Sequence, residues 1–374
     1  MAPIWSSQPF TTLFVIFFAI RQIFSLVFNA LLFSIAPLRP VREWTFKTSI
    51  GVTLLRASLE LFTAIRYQRP RQLIPGKSKR RFALIEPPGS DLFSGVLSSK
   101  TVQPAPVGAV WQSPPLSKND PGLKTHKVAI FIPGGGFVLG WEPDVLGRVM
   151  GDVYTKHLGA ATYMLYVQYR LASPETQFPA AVQDALTAYN YVLDLGVPAE
   201  NISLVGDSAG GNLVLALLRY LETAQTSLPR PGRALCLSPW VDVTLESGVK
   251  HDQASTSRTD LLNGSLLTWG ARAYIPDGEL SEEVSAFISP LHHPFATKTP
   301  VFITAGGVEG FCDSIRQFSG QMSGMEGTRV HFHVMKNMPH NPFAAYPFLG
   351  ADAEVGVALE EAKKFFEQDP AIGV

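Results

Sequence analysis

Cysteine is nearly absent from this chain: Cys236 and Cys312 are the two in 374 residues. One pair cannot build a disulfide framework, and neither thiol stands in a metal-binding spacing. Cys236, inside the apolar run Ala234-Leu235-Cys236-Leu237, reads as a small core residue. His292-His293 and the pair His331 and His333 lack cysteine or carboxylate neighbours at ligand spacing, so neither a metal nor a cofactor is expected. Charge is scarce too. Only 17% of residues are charged and the formal net charge is zero, which removes the electrostatic case for a nucleic-acid partner. What is plentiful is apolar surface, 46% of residues with positive mean hydropathy, pointing to apolar ligands or a membrane. The length suits one large α/β domain carrying a lid and an N-terminal appendage.

The stretch Gly206-Asp207-Ser208-Ala209-Gly210-Gly211-Asn212 lies where the apolar run Ile202 to Val205 gives way to a helical pattern, Leu213 to Leu221. Strand, sharp turn and helix follow one another. Glycines two residues either side of Ser208 allow so tight a bend that the serine is held strained, with its hydroxyl outward. Such a serine is a candidate nucleophile.

Upstream, Phe10 to Ala36 is almost continuously apolar and closes at Pro37. It exceeds the ~20 residues that a helix needs to cross a bilayer. A signal peptide would need a basic start and a hydrophobic centre of only about 7–15 residues. Arg21 would cost about 2.5–3.5 kcal/mol at mid-membrane, but the many Phe, Leu, Ile and Val side chains outweigh it. Because Arg21 divides the run, a helix lying in the interface or a re-entrant hairpin stands beside a true span. The basic residues from Arg39 to Arg71 place the following chain in the cytosol, whereas the sequons at Asn201 and Asn263 point to a lumen. Asn201 directly precedes the nucleophile strand and is expected to be structural. Ile50 to Ile65 has the spacing of an amphipathic helix, 70–81 reads as a basic linker, and 82–124 suits short edge strands.

Val128 to Ile132 is a buried-strand pattern ending in Pro133-Gly134-Gly135-Gly136-Phe137. Backbone N–H groups of such a loop can point into a pocket. If Ser208 lies there, the amides of Gly135, Gly136 and Ala209 can hold the oxyanion formed when the hydroxyl attacks a carbonyl.

Further along come Tyr169-Arg170-Leu171-Ala172-Ser173-Pro174-Glu175, then Phe178-Pro179-Ala180-Ala181 with Asp184, and Ser238-Pro239-Trp240-Val241-Asp242. Together with the glycine loop and the serine motif, these occur in the order seen in the hormone-sensitive-lipase-like branch of the α/β-hydrolase fold. From about Val128 to the C-terminus the chain resembles that family, especially fungal members with a hydrophobic N-terminus. The resemblance implies a mostly parallel central sheet with helices on both faces and a helical cap. It also implies a triad in the order serine, acid, histidine. Glu309, after the strand pattern Val301 to Ala305, stands where the family usually has aspartate, and Asp313 is its competitor. His340 occupies the position of the family's catalytic histidine; His331 and His333 alternate within a strand and read as structural. Two departures stand out: Pro133 where the loop commonly begins with histidine, and Ser173 as an insertion. Arg170, Glu175 and Asp184 are expected to form supporting charge pairs.

Three segments are therefore expected: a membrane anchor over 1–38, a cap segment and linker over 39–100, and a catalytic domain over 101–374 with a cap insertion at about 243–298. The expected function is hydrolysis of a hydrophobic ester, such as an acetylated sterol, terpenoid or polyketide, at a membrane of the endoplasmic reticulum. Two other functions fit the same fold. One is a tailoring step of secondary metabolism, by transacylation, cyclisation or dehydration. The other is a small-molecule receptor, against which the retained His340 argues.

Overall fold

The computed structural model describes residues 3–69, 71–158, 162–224 and 226–368; Pro70 and the ends of the expected segments, 1–2 and 369–374, lie outside them. Helices α1 (Phe10–Phe33) and α2 (Phe46–Ala64) lead. Strands β1 (Phe82–Ile85) and β2 (Val107–Trp111) follow. Then β3 (Lys127–Ile132), α3 (Arg148–Leu158), β4 (Thr162–Gln168), α4 (Ala180–Asp194), β5 (Ile202–Asp207), α5 (Ala209–Thr223) and β6 (Arg233–Leu237) alternate. The next connection carries α6 (Ser247–Gln253), α7 (Gly264–Tyr274) and α8 (Glu282–Ile288). Strand β7 (Val301–Gly306), α9 (Cys312–Ser323), β8 (Val330–Met335), the single turn α10 (Tyr346–Leu349) and α11 (Asp352–Glu367) complete the chain.

The eight strands form one sheet in the order β1-β2-β4-β3-β5-β6-β7-β8, antiparallel at the β1, β2 edge and parallel from β4 onward. Side chains alternate between its faces, and both are covered. Ile130, Leu204, Cys236 and Ile303 pack on one side, against residues of α4 and α5. Phe131, Val205, Leu235 and Phe302 pack on the other, against residues of α3 and α11. Continuous apolar runs therefore mark the central strands.

Helix α2 begins four residues earlier than its apolar spacing suggests, because Thr45 caps it by accepting the Thr48 N–H at 3.0 Å. Its opposite faces have different partners. Thr53, Arg56, Ala57 and Glu60 border a groove shared with Arg21, Gln22 and Ser25 of α1, and Arg21 pairs with Glu60 at 2.8 Å. Leu55, Leu59 and Phe62 face inward. Helix α1 is long and apolar enough to cross a membrane, with Phe17, Phe24, Phe28 and Leu31 among its outward side chains. The charge at position 21, expensive in lipid by itself, thus has both a carboxylate partner and the Phe18 ring beneath it.

Arg170 and Asp184 form a buried pair at 2.8 Å, as expected, but Glu175 does not join them. Glu175 is exposed and accepts from the inserted Ser173 hydroxyl at 2.8 Å, while Arg170 spends its remaining donors on Gln183 and the carbonyls of Gln103 and Ala180. Both sequon asparagines are used within the fold: Asn201 donates to the Lys124 carbonyl, and Asn263 caps α7. His331 and His333 lie against Phe302 and share Glu361 of α11.

Candidate active site

At the end of β5 the chain turns into α5 through Ser208, at φ 52°, ψ −119°. No non-glycine residue adopts this left-handed geometry without strain. The flanking glycines make it possible: a Cβ on Gly206 would lie 2.3 Å from the Gly210 carbonyl oxygen, and one on Gly210 would lie 1.9 Å from that of Ile132. The turn is held by Ser208 N–H to Leu237 O and Trp240 N–H to Ser208 O, each 2.9 Å. Asn212, the last residue of the motif, donates to the Trp240 and Ile288 carbonyls and so ties α5 to the connection that carries α8.

Beside the serine runs the glycine loop after β3. Gly135 and Gly136 have φ of 125° and 59°, and both border the same cavity as Ser208. Among the described residues their N–H groups meet no protein acceptor, and Ala209 starts α5, where the first N–H groups have no carbonyl partner within the helix. Of the three amides singled out from the sequence, those of Gly135 and Gly136 belong to residues bordering the Ser208 cavity, and that of Ala209 directly follows Ser208. The loop lacks a leading histidine but is braced otherwise. Tyr169 Oη donates to Pro133 O at 2.9 Å, Trp141 Nε1 to Gly134 O at 3.1 Å, and Gly134 N–H to Asp207 at 2.9 Å.

His340 and Glu309 come from the loops after β8 and β7. His340 Nδ1 lies 3.0 Å from Glu309 Oε2, both side chains are buried, and the other ring nitrogen, Nε2, has no hydrogen-bond partner among the described residues, Ser208 included. Ser208 and His340 line one cavity. Asp313 is exposed on the first turn of α9, with no such contact. The Phe311 ring meets the imidazole edge-on at 5.3 Å. Burial by itself would push the His340 pKa down, but the Glu309 carboxylate beside it, then Asp260 and Asp207, outweigh this and raise it above the ordinary histidine value.

Two buried acids in this cluster escaped the sequence reading. Asp207, adjacent to Ser208, accepts from Gly134 N–H and from Asn341 Nδ2 at 2.7 Å; burial lifts its pKa to about 6. Its place inside the glycine motif was the available signal. Asp260 lies in the connection between α6 and α7 and accepts from His340 N–H, Gly310 N–H and His251 Nε2. Nothing local distinguishes it from a surface turn acid, since its partners arrive from distant segments.

The cavity has a volume of about 310 Å³. Leu55, Leu59 and Phe62 of α2 line it together with Leu261, Leu262 and Leu266 around the start of α7. Leu267, Tyr274 and Phe287 turn into the core instead, Tyr274 stacking on Phe137 at 3.8 Å. The cavity's polar lining consists of Asp207, Ser208, His340 and Asn341, with Ser58 of α2 among the aliphatic and aromatic side chains.

A family model described as alpha/beta hydrolase fold matches residues 129–344. Among curated proteins, an acetyl-hydrolase of Streptomyces hygroscopicus is 30% identical over 274 residues, 72% of this chain and 81% of its own length. An ethyl acetate hydrolase of Pseudomonas putida is 32% identical over 179 residues, 46% of this chain and 52% of that protein. Among solved structures, an esterase from the bacterial hormone-sensitive lipase family superposes with a TM-score of 0.59 at 22% identity, over 86% of this chain and 98% of that one.

Proposed function

This chain belongs to the alpha/beta hydrolase fold family, and from that premise we propose that it is a serine esterase of the hormone-sensitive-lipase-like branch, cleaving esters of hydrophobic alcohols. The observation that carries this reading is a strained Ser208 that lines the same cavity as His340, whose Nδ1 is held by Glu309 and whose Nε2 makes no hydrogen bond to any described residue, Ser208 included. In the proposed reaction Ser208 Oγ attacks the acyl carbon while His340 Nε2 takes the hydroxyl proton. Glu309 holds the tautomer and stabilises the imidazolium. The amides of Gly135, Gly136 and Ala209 receive the charge that develops on the carbonyl oxygen. Collapse expels the alcohol, protonated by His340, and water repeats the sequence on the acyl-enzyme.

The names of two relatives, acetyl-hydrolase and ethyl acetate hydrolase, support a short acyl group. The aliphatic lining supports a greasy alcohol, of which acetylated sterols, terpenoids and polyketides are the class we favour. We read residues 1–38 as a membrane anchor of the kind found in fungal members, at the endoplasmic reticulum. Of the segment 39–100, expected as cap and linker, we assign α2 to the cap together with about 243–298, whereas β1 (Phe82–Ile85) pairs with β2 in the central sheet, so the catalytic domain begins near residue 82 and not at 101. A fluorophosphonate should label the wild type and not Ser208→Ala, and a screen of acetylated lipophiles should release acetate. A folded protein that neither labels nor turns over any ester, yet binds such compounds, would overturn the esterase in favour of a receptor. Acetyl transfer to a second alcohol instead of water would identify a transacylase.

A further inference from the structure

Glu309 and His340 sit on separate loops, after β7 and β8, which are joined directly by the Val308 N–H to Met338 O bond at 3.2 Å; a third segment ties them further. The turn Thr259-Asp260, carried by the connection over the cavity, makes contacts on either side of Glu309. Thr259 Oγ1 donates to the Val308 carbonyl at 2.8 Å, and Asp260 Oδ2 accepts the Gly310 N–H at 2.7 Å. The other oxygen, Oδ1, accepts the backbone N–H of His340 at 3.3 Å and that of Leu261 at 2.7 Å. His251 of α6 completes the set, its Nε2 lying 2.9 Å from Oδ2. We propose that Asp260 is a positioning residue for the reaction, a second buried carboxylate supplied by the cap that locks the Glu309 turn and the His340 loop to each other. This rests on the esterase reading above.

Gly310 bears on the same assignment. A Cβ there would lie 2.4 Å from His251 Cδ2, so a glycine directly after Glu309 is what lets the His251 and Asp260 pair approach the turn. Asp260 is fully enclosed, and its hydrogen bonds to His251 and Gly310, with the nearby His340, outweigh the effect of burial and hold its carboxyl below the usual carboxylate range. Its charge therefore persists at neutral pH. The acids facing His340 are Glu309, Asp260 and Asp207, and His251 in turn has the exposed Asp252 within 3.6 Å.

Asparagine cannot replace this carboxylate. Both oxygens accept two donors each, so the amide nitrogen of Asp260→Asn must face at least one backbone N–H that points straight at it. The test is steady-state hydrolysis of p-nitrophenyl acetate by the full-length chain across pH. With the loops loosened by up to about 1 Å, Asp260→Asn should lose about 10²-fold in kcat with little change in KM. The acid limb of kcat/KM should also move to lower pH, because a carboxylate that raises the His340 pKa is gone. A packing role alone would lower the thermal midpoint and leave the limb in place. If Asp260→Asn does not fold, His251→Leu should lower kcat and His251→Gln, which restores a donor at the same reach, should recover it. Equal kcat in those two variants, or a folded Asp260→Asn with wild-type kcat and limb, would overturn the proposal. Wild-type enzyme that neither labels with fluorophosphonate nor turns over would instead strike the esterase reading itself.

Discussion

Replacing Glu309 by glutamine separates the two acids that the sequence left in competition. The side chain keeps its volume within an enclosed site, so the change removes charge without opening a cavity. Glu309 Oε2 stands 3.0 Å from His340 Nδ1, and the charge centres of carboxylate and imidazolium are about 4 Å apart, where an effective dielectric of about 20 gives about 4 kcal/mol of attraction. That attraction exists only once His340 has taken the serine proton, so it acts on the transition state and is worth about 10³-fold in rate. Asp260 and Asp207 remain and offset part of the loss, which brings the expected fall in kcat for Glu309→Gln to between about 10² and 10³-fold. KM should hardly move, because the cavity is lined by His340 and not by Glu309. Asp313→Asn, on an exposed first helical turn, should keep full activity. Initial rates with p-nitrophenyl acetate over a range of concentrations give both constants. Retention of more than about a tenth of kcat in Glu309→Gln, or an equal loss in Asp313→Asn, would refute the assignment.

The raised pKa of His340 puts the acid limb of wild-type kcat/KM above the ordinary histidine value: activity is full at higher pH and is lost as pH falls through the limb. A profile with its limb at or below 6.5, the ordinary value, would contradict the three facing carboxylates. Arg170→Ala leaves Asp184 buried without its partner and should cost about 3–5 kcal/mol in urea unfolding, while kcat per folded molecule stays near wild type. Gly210→Ala drives a methyl group to within 1.9 Å of the Ile132 carbonyl oxygen and should destabilise by about 3 kcal/mol or more. An unfolding midpoint like that of the wild type would mean that β3 and α5 can separate at no cost.

Local chemistry made much of this protein legible in its sequence. Apolar runs such as Val128 to Ile132 name strands buried on both faces, because only a sheet covered on each side can use them. Glycines around Ser208 name the elbow, because a Cβ there has nowhere to go. The apolar length of α1 is likewise written in consecutive residues. What depends on approach between distant segments was not legible. Motif position favours Glu309 over Asp313, four positions on and chemically alike, but that one is buried against His340 and the other left in solvent follows from the packing of the loop after β7. Glu175 reads as part of the charge pairs around Arg170, but it lies in the turn closed by Thr176 N–H on Ser173 O and accepts from the Ser173 hydroxyl instead. Asp260 carries no local signature at all, since a carboxylate acquires its meaning from the donors that converge on it, and these arrive from α6 and from the ends of β7 and β8. Sequence fixes what each short segment can become, through sterics and hydrophobic period. Tertiary structure decides which charges meet, because that choice depends on distance and on the exclusion of water.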